Sequence, residues 1–540
     1  MKIKQILLII SIFLFSANLL SVKLVKSFST PGIFPTGATY DGKNIWISDR
    51  KDDKIFCMNP ENGEIIRYIE SPAYWPMGLA WDGKNLWNID IKGGIPLAEN
   101  YNAKIYKLDP EDGTIVHCVD APSKNAEGLC WDGKYLWCTD NINKKLIQFD
   151  QNDGTTIKSI NSPHSNSNGL AFDGKYLWVS DRVTNKIYAV DPSSECVVIT
   201  LDSPGAYSSG LCFDGKNIWN IDYQDKKIHC IETANIEKFI TNNEKRGILT
   251  YTHLTTNFGP GTVKSLDVYF AVPIDRVSQK INKQVVFYPE NANEKIITDK
   301  WNQKVAHYHL ENLKSNESYE VQMKIDVTCY SVRYYIFPDK VGTISEIPDE
   351  IKKKYLENNE KYQYDDPIVQ KAVKDAVGEE KNPYWIARKI FNYLINNMYY
   401  EMTGGWNTAP TVIDRGNGSC SEYSFAYISM CRAAGLPARY VGSVVMRGDD
   451  TSMDDVFHRW VEVYLPNYGW IPVDPSGGDQ KWPADQANSF GSLSNRFCIT
   501  TESGGNSEYL KWTYNSNEFY TSDPKTNVVS EYFGDWEPYE

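Results

Sequence analysis

Polar and apolar residues alternate in one repeated pattern over the first 230 or so positions. Each repeat opens with an aromatic residue followed by Asp-Gly-Lys. Two further residues, the second of them apolar, separate this lysine from a tryptophan. Asp-Gly is the preferred pair for a two-residue hairpin turn, because both turn positions need a positive φ. The pattern recurs about every 41 residues, the size of a propeller blade. Five segments carry it: Tyr40–Trp46, Trp81–Trp87, Trp131–Trp137, Phe172–Trp178 and Phe213–Trp219.

Each repeat contains four strand-like segments, which is the composition of a β-propeller blade. The fifth repeat ends after His229–Ile231, before a fourth strand. Val22–Phe28 resembles the end of a blade, as in Ile65–Ile69, and we expect it to close the ring. The pattern therefore predicts a five-bladed β-propeller over residues 22–240. Six blades are the alternative if Ile236–Ile240 adds strands.

A different β pattern begins near Gly247. Alternating apolar and polar residues occupy Thr262–Phe270, Gln284–Tyr288, Lys304–Leu310 and Tyr319–Thr328, with turn residues between them. Short strands of this kind indicate a β-sandwich. We predict an immunoglobulin-like sandwich over residues 241–345 and expect no chemistry from it.

Helical periodicity starts after the predicted sandwich. Asn382 and Pro383 suit the N-cap and first turn of a helix, and Ile386, Ile390 and Leu394 mark its apolar face. We predict an α+β domain over residues 346–520. Strand-like pieces follow Arg496, and the polar end from Asn515, including a tail at residues 521–540, is expected to be loose.

The first residues are typical of a secretory signal peptide. Lysines at positions 2 and 4 precede the short apolar run Ile6–Leu14, and small residues follow. We assign residues 1–21 to this signal and expect the protein to be secreted or held at the cell surface. An uncleaved N-terminal anchor is the alternative, and it is the one expected route to a membrane.

The net charge of the chain narrows the choice of partners. It is -13 at pH 7, whereas nucleic acids and anionic membrane surfaces attract positively charged proteins. We therefore expect no nucleic-acid partner.

Cys420 is the candidate nucleophile. Gly416 and Gly418 allow a sharp turn before it, and Ser419 with Glu422 forms the S-x-x-E signature of a helix start. Cys420 would then lie in the first helical turn, where unpaired N–H groups and the helix dipole favour a thiolate. A thiolate is the reactive form of cysteine.

His458 and Asp474 complete the candidate site. His458 opens an alternating strand that ends at Leu465, and a turn about Asn467 leads into a second strand that ends at Asp474. A hairpin of this length brings Asp474 back beside His458. The carboxylate would orient the imidazole, whose other nitrogen would face the thiol.

Four motifs in this region resemble the transglutaminase-like superfamily of papain-like folds, in its microbial form. The resemblance covers roughly Asp349 to Ile499. The motifs are Gly416-x-Gly418-x-Cys420, Arg432–Val441, His458-x-Trp460-x-Glu462-Val463 and Gly469-Trp470-x-x-x-Asp474-Pro475. The repeats at residues 22–240 resemble lyase-type and NHL-type propellers. The whole chain is thus predicted to be multidomain, with a mostly β N-terminal part followed by an α+β papain-like transglutaminase core.

The resemblance implies a cysteine enzyme with Cys420, His458 and Asp474 as the catalytic residues. Its substrate would be a protein or peptide, which it attacks at an amide carbonyl to form a thioester. The acyl group could then pass to water or to an amine. Both reactions are consistent with the resemblance, and we favour hydrolysis slightly. The family also uses an upstream aromatic side chain as an oxyanion donor, for which Tyr400 and Trp406 are candidates. An inactive binding protein that uses the propeller as a platform for an extracellular ligand is the alternative.

We expect the other cysteines and the acidic loop at residues 448–455 to have structural roles rather than catalytic ones. The other ten cysteines form no C-x-x-C pair, and several occupy strand positions, so we expect small core residues. We expect neither a cofactor nor a metal-ligand grouping with histidine. The acidic loop at residues 448–455 lacks the spacing of an EF-hand, and we interpret it as a solvated loop.

Overall fold

The computed structural model describes residues 22–92, 102–233, 236–290, 296–402 and 405–539. Contacts divide the chain into two compact units. The first contains the described residues up to Ile160, with Asn166–Ile187 and Leu201–Ile236, and the second contains Asn161–Ser165, Tyr188–Thr200 and the residues from Glu237 onward. The predicted signal peptide lies outside the described residues. Among the helices that are described, none is both long and apolar enough to cross a membrane.

The described part of the N-terminal region is built from strands alone. They are β1 (Leu24–Ser29), β2 (Pro35–Tyr40), β3 (Ile45–Asp49), β4 (Lys54–Met58), β5 (Ile65–Glu70), β6 (Pro76–Trp81), β7 (Leu86–Lys92), β8 (Asn102–Leu108), β9 (Ile115–Asp120), β10 (Ala126–Trp131), β11 (Leu136–Asp140), β12 (Lys145–Phe149), β13 (Thr156–Asn161), β14 (Ser167–Phe172), β15 (Leu177–Asp181), β16 (Lys186–Val190), β17 (Val197–Asp202), β18 (Ser208–Phe213), β19 (Asn217–Asp222) and β20 (Lys227–Glu232).

These strands form five sheets of four strands each within the described residues. Four sheets take consecutive strands, β2 to β5, β6 to β9, β10 to β13 and β14 to β17. The fifth has the order β1-β20-β19-β18. Its outer strand comes from the start of the chain, with Phe28 opposite Ile228. The prediction that the N-terminal strand completes the fifth repeat is confirmed.

The first strands of the five sheets contact one another in a closed ring, from β2 through β6, β10, β14 and β18 back to β2. Glycines make this close approach possible. A Cβ on Gly37 would lie 2.3 Å from the carbonyl oxygen of Met77, and one on Gly210 would lie 3.0 Å from the Cα of Gly37. Side chains at these positions would force neighbouring strands apart.

The repeated aspartate and tryptophan have a structural role in every repeat. In the first, Asp41 accepts hydrogen bonds from the backbone N–H groups of Lys43 and Asn44, which fixes the turn. Its other oxygen accepts the indole N–H of Trp46 at 2.7 Å. The same indole bond joins Asp82 to Trp87, Asp132 to Trp137, Asp173 to Trp178 and Asp214 to Trp219.

The described residues of the second unit contain both strands and helices. The strands are β21 (Phe239–Gly259), β22 (Val263–Ala271), β23 (Gln279–Ile281), β24 (Val286–Tyr288), β25 (Ile296–Thr298), β26 (Lys304–Leu313), β27 (Glu317–Tyr334), β28 (Tyr399–Tyr400), β29 (Asn417–Gly418), β30 (Ala438–Val445), β31 (Ser452–Asp454), β32 (His458–Leu465), β33 (Gly469–Val473), β34 (Ser492–Leu493), β35 (Phe497–Ser503), β36 (Ser516–Ser522) and β37 (Asn527–Pro538). The helices are α1 (Asp349–Tyr355), α2 (Pro367–Val377), α3 (Pro383–Asn397), α4 (Ala409–Arg415), α5 (Cys420–Ala433) and α6 (Pro483–Ala487).

Two large sheets of this unit share one hydrophobic core. The first has the order β23-β27-β21-β37-β31, and the second has the order β25-β26-β22-β36. Their inner faces contribute to the same buried cluster, which includes Leu249, Val268, Tyr308, Ile325 and Trp536. The two sheets are therefore packed together, and three of their strands, β31, β36 and β37, come from outside residues 241–345.

A second core surrounds the helices. The sheet β33-β32-β30-β35 packs against α5, and a large buried cluster joins this sheet to α2, α3 and α5. Asn382 caps α3 as predicted, since its side chain accepts from the backbone N–H of Tyr384. The core of the α+β region is thus built around α5, the helix that begins at Cys420.

The expectation of a loose C-terminal tail was wrong. β36 pairs with β22, and β37 pairs with β21 from Gly247 to Gly259. The physical reason is that β21 would otherwise present a long unpaired edge, and unpaired strand edges need cover. Gly534 and Trp536 of β37 are buried, so one face of this strand contributes to the core.

We predict that Trp536→Ala destabilises the second unit by about 3–5 kcal/mol, because it leaves a cavity in the shared core. Val529→Ala, on the same strand but 45% exposed, should change stability by less than about 0.5 kcal/mol. Calorimetric unfolding of both variants measures the difference. Equal unfolding temperatures for the two would show that β37 is not part of the folded core.

Candidate active site

Two glycines shape the approach to Cys420. Gly416 ends α4 with φ of 72°, a left-handed conformation that favours glycine. Gly418 packs so closely that a Cβ there would lie 2.9 Å from the Cβ of Glu422. The chain can therefore turn from α4 into α5 within four residues, as the sequence predicted.

Glu422 fixes the start of α5 from inside the protein. Its side chain is fully buried, and one carboxylate oxygen accepts from the backbone N–H of Ser419 at 3.1 Å and from Arg415 at 2.7 Å. The other oxygen accepts from the backbone and side chain of Asn407. The predicted capping box between Ser419 and Glu422 is present. A buried carboxylate is tolerated here because its partners satisfy it.

α5 is enclosed on all sides. Every residue from Ser421 to Arg432 is buried, including five serine, glutamate and arginine positions that a surface helix would expose. A helix that packs on every face cannot rotate or slide, so the position of Cys420 at its first turn is fixed.

His458 and Asp474 meet as the hairpin predicted. β32 and β33 pair with Val461 opposite Val473, which returns Asp474 to the beginning of β32. The Nε2–H of His458 donates to Oδ2 of Asp474 at 2.7 Å. His458 therefore keeps Nδ1 for its hydrogen bond with the thiol of Cys420.

Both members of the His458–Asp474 pair are held by further contacts. The second oxygen of Asp474 accepts from the hydroxyl of Ser476 at 2.6 Å and from two backbone N–H groups. The imidazole of His458 packs against the rings of Trp460 and Phe497, with centroid distances of 5.8 and 5.7 Å. These contacts fix the ring plane and the tautomer.

The three groups shift one another toward charged forms. Burial alone would raise the pKa of Cys420, but the hydrogen bond and charge of His458 outweigh it and hold the pKa below its usual value. Burial lowers the pKa of His458, yet Asp474 and the thiolate raise it to about 10. Burial acts to raise the pKa of Asp474, and the charge of His458 overcomes it and lowers that pKa. These shifts favour a thiolate–imidazolium pair beside a carboxylate.

Of the two candidate oxyanion donors, Tyr400 lies at the site. Its hydroxyl contacts the backbone N–H of Cys420, and burial, followed by the charges of Cys420 and Asp474, raises its pKa. β28 and β29 hold it there, with Tyr400 opposite Gly418. Trp406 instead lies over Arg459, 4.7 Å from its guanidinium carbon. The geometry favours Tyr400.

Sequence reasoning missed Arg459 and Tyr514. Arg459 is fully buried, and its guanidinium is surrounded by the rings of Trp406, Phe425, Tyr440 and Tyr514 at 4.4 to 5.2 Å. One N–H group donates to the carbonyl of Trp512 at 2.6 Å.

Arg459 acts electrostatically on Cys420, and Cys420 in turn acts on Tyr514. The backbone N–H of Arg459 donates to the sulfur, and its positive charge helps to lower the pKa of the thiol. Burial and the nearby Cys420 charge raise the pKa of Tyr514. Strand alternation could have identified Arg459 in the sequence. Arg459 lies on the same face of β32 as the buried Val461 and Val463. A charged residue in that register is unusual and points to a function.

The acidic loop is more structured than we expected. Asp454 is buried, accepts from Arg447 and from the backbone N–H of Val445 and Phe457, and lies on β31, which pairs with β37. Asp449 is exposed and pairs with two cationic side chains. The interpretation as a wholly solvated loop was wrong for Asp454. This carboxylate can be buried because its hydrogen-bond partners replace the water that it loses.

The cysteines agree with the expectation of core residues. All eleven are free, and nine of the ten besides Cys420 are buried. Cys118 is the exposed one. The expectation that histidine takes part in no metal-ligand grouping was wrong. Asp267, His307 and His309 lie together on the sandwich, because strand pairing joins positions that are far apart in sequence.

Comparison with known proteins finds a family match over the region that contains Cys420, His458 and Asp474. Residues 370–475 match the model of the transglutaminase-like superfamily. A protein-glutamine gamma-glutamyltransferase of Pseudomonas aeruginosa is 34% identical over 80 residues, which are 14% of this chain and 12% of that protein. The chain spans between about a tenth and about a third of the curated relatives that it matches.

Two solved structures match parts of this chain. A candidate cysteine protease from Cytophaga hutchinsonii is 16% identical, with a TM-score of 0.37, and the match covers 54% of this chain and 92% of the other. Virginiamycin B lyase from Staphylococcus aureus is 22% identical, with a TM-score of 0.26, over 38% of this chain and 68% of the other.

We predict that iodoacetamide alkylates Cys420 at a pH well below that needed for the exposed Cys118. The lowered pKa of Cys420 means that its thiolate is present at lower pH, whereas burial raises the pKa of Cys118. His458→Ala should remove this advantage. Peptide mapping by mass spectrometry across pH 5–10 measures both sites in one sample, and equal pH profiles for both would contradict the ion pair.

We also predict that Arg459→Met slows the alkylation of Cys420 at pH 7 by about tenfold, as expected from loss of an interaction worth about 1.4 kcal/mol. Methionine keeps most of the volume, so the fold should persist. Arg496→Met removes an arginine that pairs with the exposed Asp449 and serves as the matched control. A change of similar size in both variants would mean that Arg459 acts only through general charge or stability.

Proposed function

We propose, on the premise that residues 370–475 form a transglutaminase-like domain, that this protein is a cysteine enzyme acting on amide groups of proteins or peptides. One observation carries the proposal. Cys420 begins a helix that is buried from Ser421 to Arg432, and its thiol is hydrogen-bonded to His458, which is hydrogen-bonded to Asp474. This is a nucleophile, a base and an orienting carboxylate in contact.

The first half of the reaction forms a thioester. The Cys420 thiolate attacks the amide carbonyl carbon, and the C–O double bond opens to an oxyanion. His458, which is already protonated, gives its Nδ1 proton to the leaving nitrogen, and the C–N bond breaks. Asp474 stays ionised and stabilises the imidazolium throughout. The raised pKa of His458, about 10, keeps this proton available across neutral pH.

Two donors are suited to the oxyanion. The backbone N–H of Cys420 lies at the start of α5, where helical N–H groups have no intrahelical partner. The hydroxyl oxygen of Tyr400 accepts a hydrogen bond from that N–H group. An oxyanion that displaced this bond would accept from both groups, which stabilises charge that develops in the transition state.

The second half of the reaction releases the acyl group. With water, His458 takes a proton, hydroxide adds to the thioester carbon, and the C–S bond breaks to give a carboxylic acid and the free thiol. With an amine, the same steps give a new amide and cross-link two chains. We favour hydrolysis slightly, because the described residues around Cys420 include no feature that would exclude water.

The N-terminal region is proposed as a binding platform. We interpret the closed ring of five sheets as a five-bladed β-propeller and the paired sheets of the second unit as an immunoglobulin-like sandwich. A cavity of about 120 Å³ lies where the first strands of the ring meet. The first residue of every repeat lines it, namely Tyr40, Trp81, Trp131, Phe172 and Phe213. Aromatic linings favour ligand binding, and we propose a cell-surface or extracellular ligand.

The location follows from the first residues of the chain. The signal-peptide pattern at residues 1–21 supports secretion or attachment at the cell surface, with an uncleaved anchor as the alternative. The negative net charge supports protein or peptide partners over nucleic acid. The alternative function, an inactive binding protein, would leave the paired charges at Cys420 without a role.

We predict that Tyr400→Phe lowers kcat by about a hundredfold, the usual effect of removing one oxyanion donor. Tyr399→Phe changes the adjacent tyrosine, which is 58% exposed and whose hydroxyl accepts from Asn417, and it should keep nearly full activity. The assay follows release of ammonia from glutamine-containing peptides with and without a primary amine. Equal loss in the two variants would remove Tyr400 from the oxyanion site.

The same assay tests the proposed function itself. Cys420→Ala should show no turnover above background, and product analysis separates acid from amide. Activity that is the same in wild type and Cys420→Ala would overturn the enzyme proposal and leave the binding protein as the better interpretation.

A further inference from the structure

A second group of chemistry-bearing side chains lies on the sandwich, apart from Cys420. Strands β22 and β26 are antiparallel neighbours, with Asp267 opposite His309 and Tyr269 opposite His307. Residues alternate between the two faces of a strand, so Asp267, His307 and His309 share the face that points away from the core. Their neighbours Val268 and Tyr308 point into the core.

The donor atoms of the three residues converge. Nε2 of His307 lies 2.7 Å from Oδ1 of Asp267, and Nδ1 of His309 lies 2.8 Å from the same oxygen. All three atoms lie within 4.8 Å of one another. Two imidazoles directed at one carboxylate oxygen form a compact donor set rather than a row of independent surface residues.

The surroundings hold these side chains in place. The ring of Tyr269 stacks on His307 with a centroid distance of 4.6 Å and an interplanar angle of 6°. Nε2 of His309, which faces away from Asp267, lies 3.7 Å from the carboxylate of Glu311. In metal sites the second nitrogen of a ligating histidine commonly faces a carboxylate, which orients the ring and strengthens the ligand.

We propose that Asp267, His307 and His309 bind one Zn²⁺ ion, a function separate from the chemistry proposed for Cys420. Two imidazole nitrogens and one carboxylate oxygen form a common zinc ligand set, and water would take the fourth position. Tetrahedral zinc places its ligand atoms about 3.4 Å apart, so a small movement of the carboxylate opens the present cluster to the ion. Calcium fits poorly, because it takes about six to eight oxygen ligands.

The site is accessible and joins two strands. The side chains of His307, His309 and Asp267 are 21%, 37% and 28% exposed, so an ion can enter from solvent while the ligands keep a fixed frame. Bound zinc would link β22 to β26. Because the unfolded chain has no preassembled site, binding stabilises the folded state.

The test is a zinc titration of the full chain by calorimetry, after iodoacetamide has blocked its accessible thiols. We expect one zinc ion per chain. His307→Gln and His309→Gln should each weaken binding at least about tenfold, and Glu311→Gln should weaken it by a smaller factor. His117→Gln, which changes an exposed histidine on β9, should bind as wild type does.

Thermal unfolding gives a second readout that does not need enzyme activity. Zinc should raise the unfolding temperature of wild type and of His117→Gln but not of His307→Gln. Calcium should leave the unfolding temperature of all three proteins unchanged. Circular dichroism checks that each variant is folded. Unchanged zinc binding in His307→Gln and His309→Gln would overturn the proposal. Absence of saturable zinc binding in wild type would do the same, and the cluster would then be a hydrogen-bonded network only.

Discussion

The second unit depends on the burial of one helix, α5, from Ser421 to Arg432. Because α5 is enclosed along its length, the N–H groups at its start cannot be satisfied by bulk water. Glu422 provides an internal solution by joining the helix start to Arg415 and Asn407. The same enclosure leaves Cys420 at the edge of the core, where a neighbouring charge has a strong effect on a thiol.

The electrostatics of the site follow from this position. A thiolate, an imidazolium and a carboxylate in one half-buried row are each disfavoured alone, and each is stabilised by the opposite charge of its neighbour. Arg459 adds a cation whose partners are mostly aromatic faces, which attract a guanidinium without neutralising it. The site is therefore an interdependent set of charges, and its members cannot be understood singly.

The sequence predicted those features that rest on short-range rules. The Asp-Gly turns, the capping box at Ser419 and the hairpin that returns Asp474 to His458 all depend on residues close along the chain. Features formed by distant residues were not predictable in the same way. The pairing of β37 with β21 and the meeting of Asp267 with His307 depend on which strands become neighbours, and alternation alone does not specify a partner. Arg459 was missed because its strand was identified without asking which face it occupies.

The pairing of β37 links the order of the site to a distant part of the chain. β31 hydrogen-bonds to β37, and Asp454 at its end holds the backbone of Phe457, immediately before His458. The strand that anchors this loop therefore lies far from Cys420 and His458 in sequence and belongs to the core of the two paired sheets. A change in that core is transmitted through β31 to the residue that precedes His458, so the two packed sheets act as a support for the imidazole.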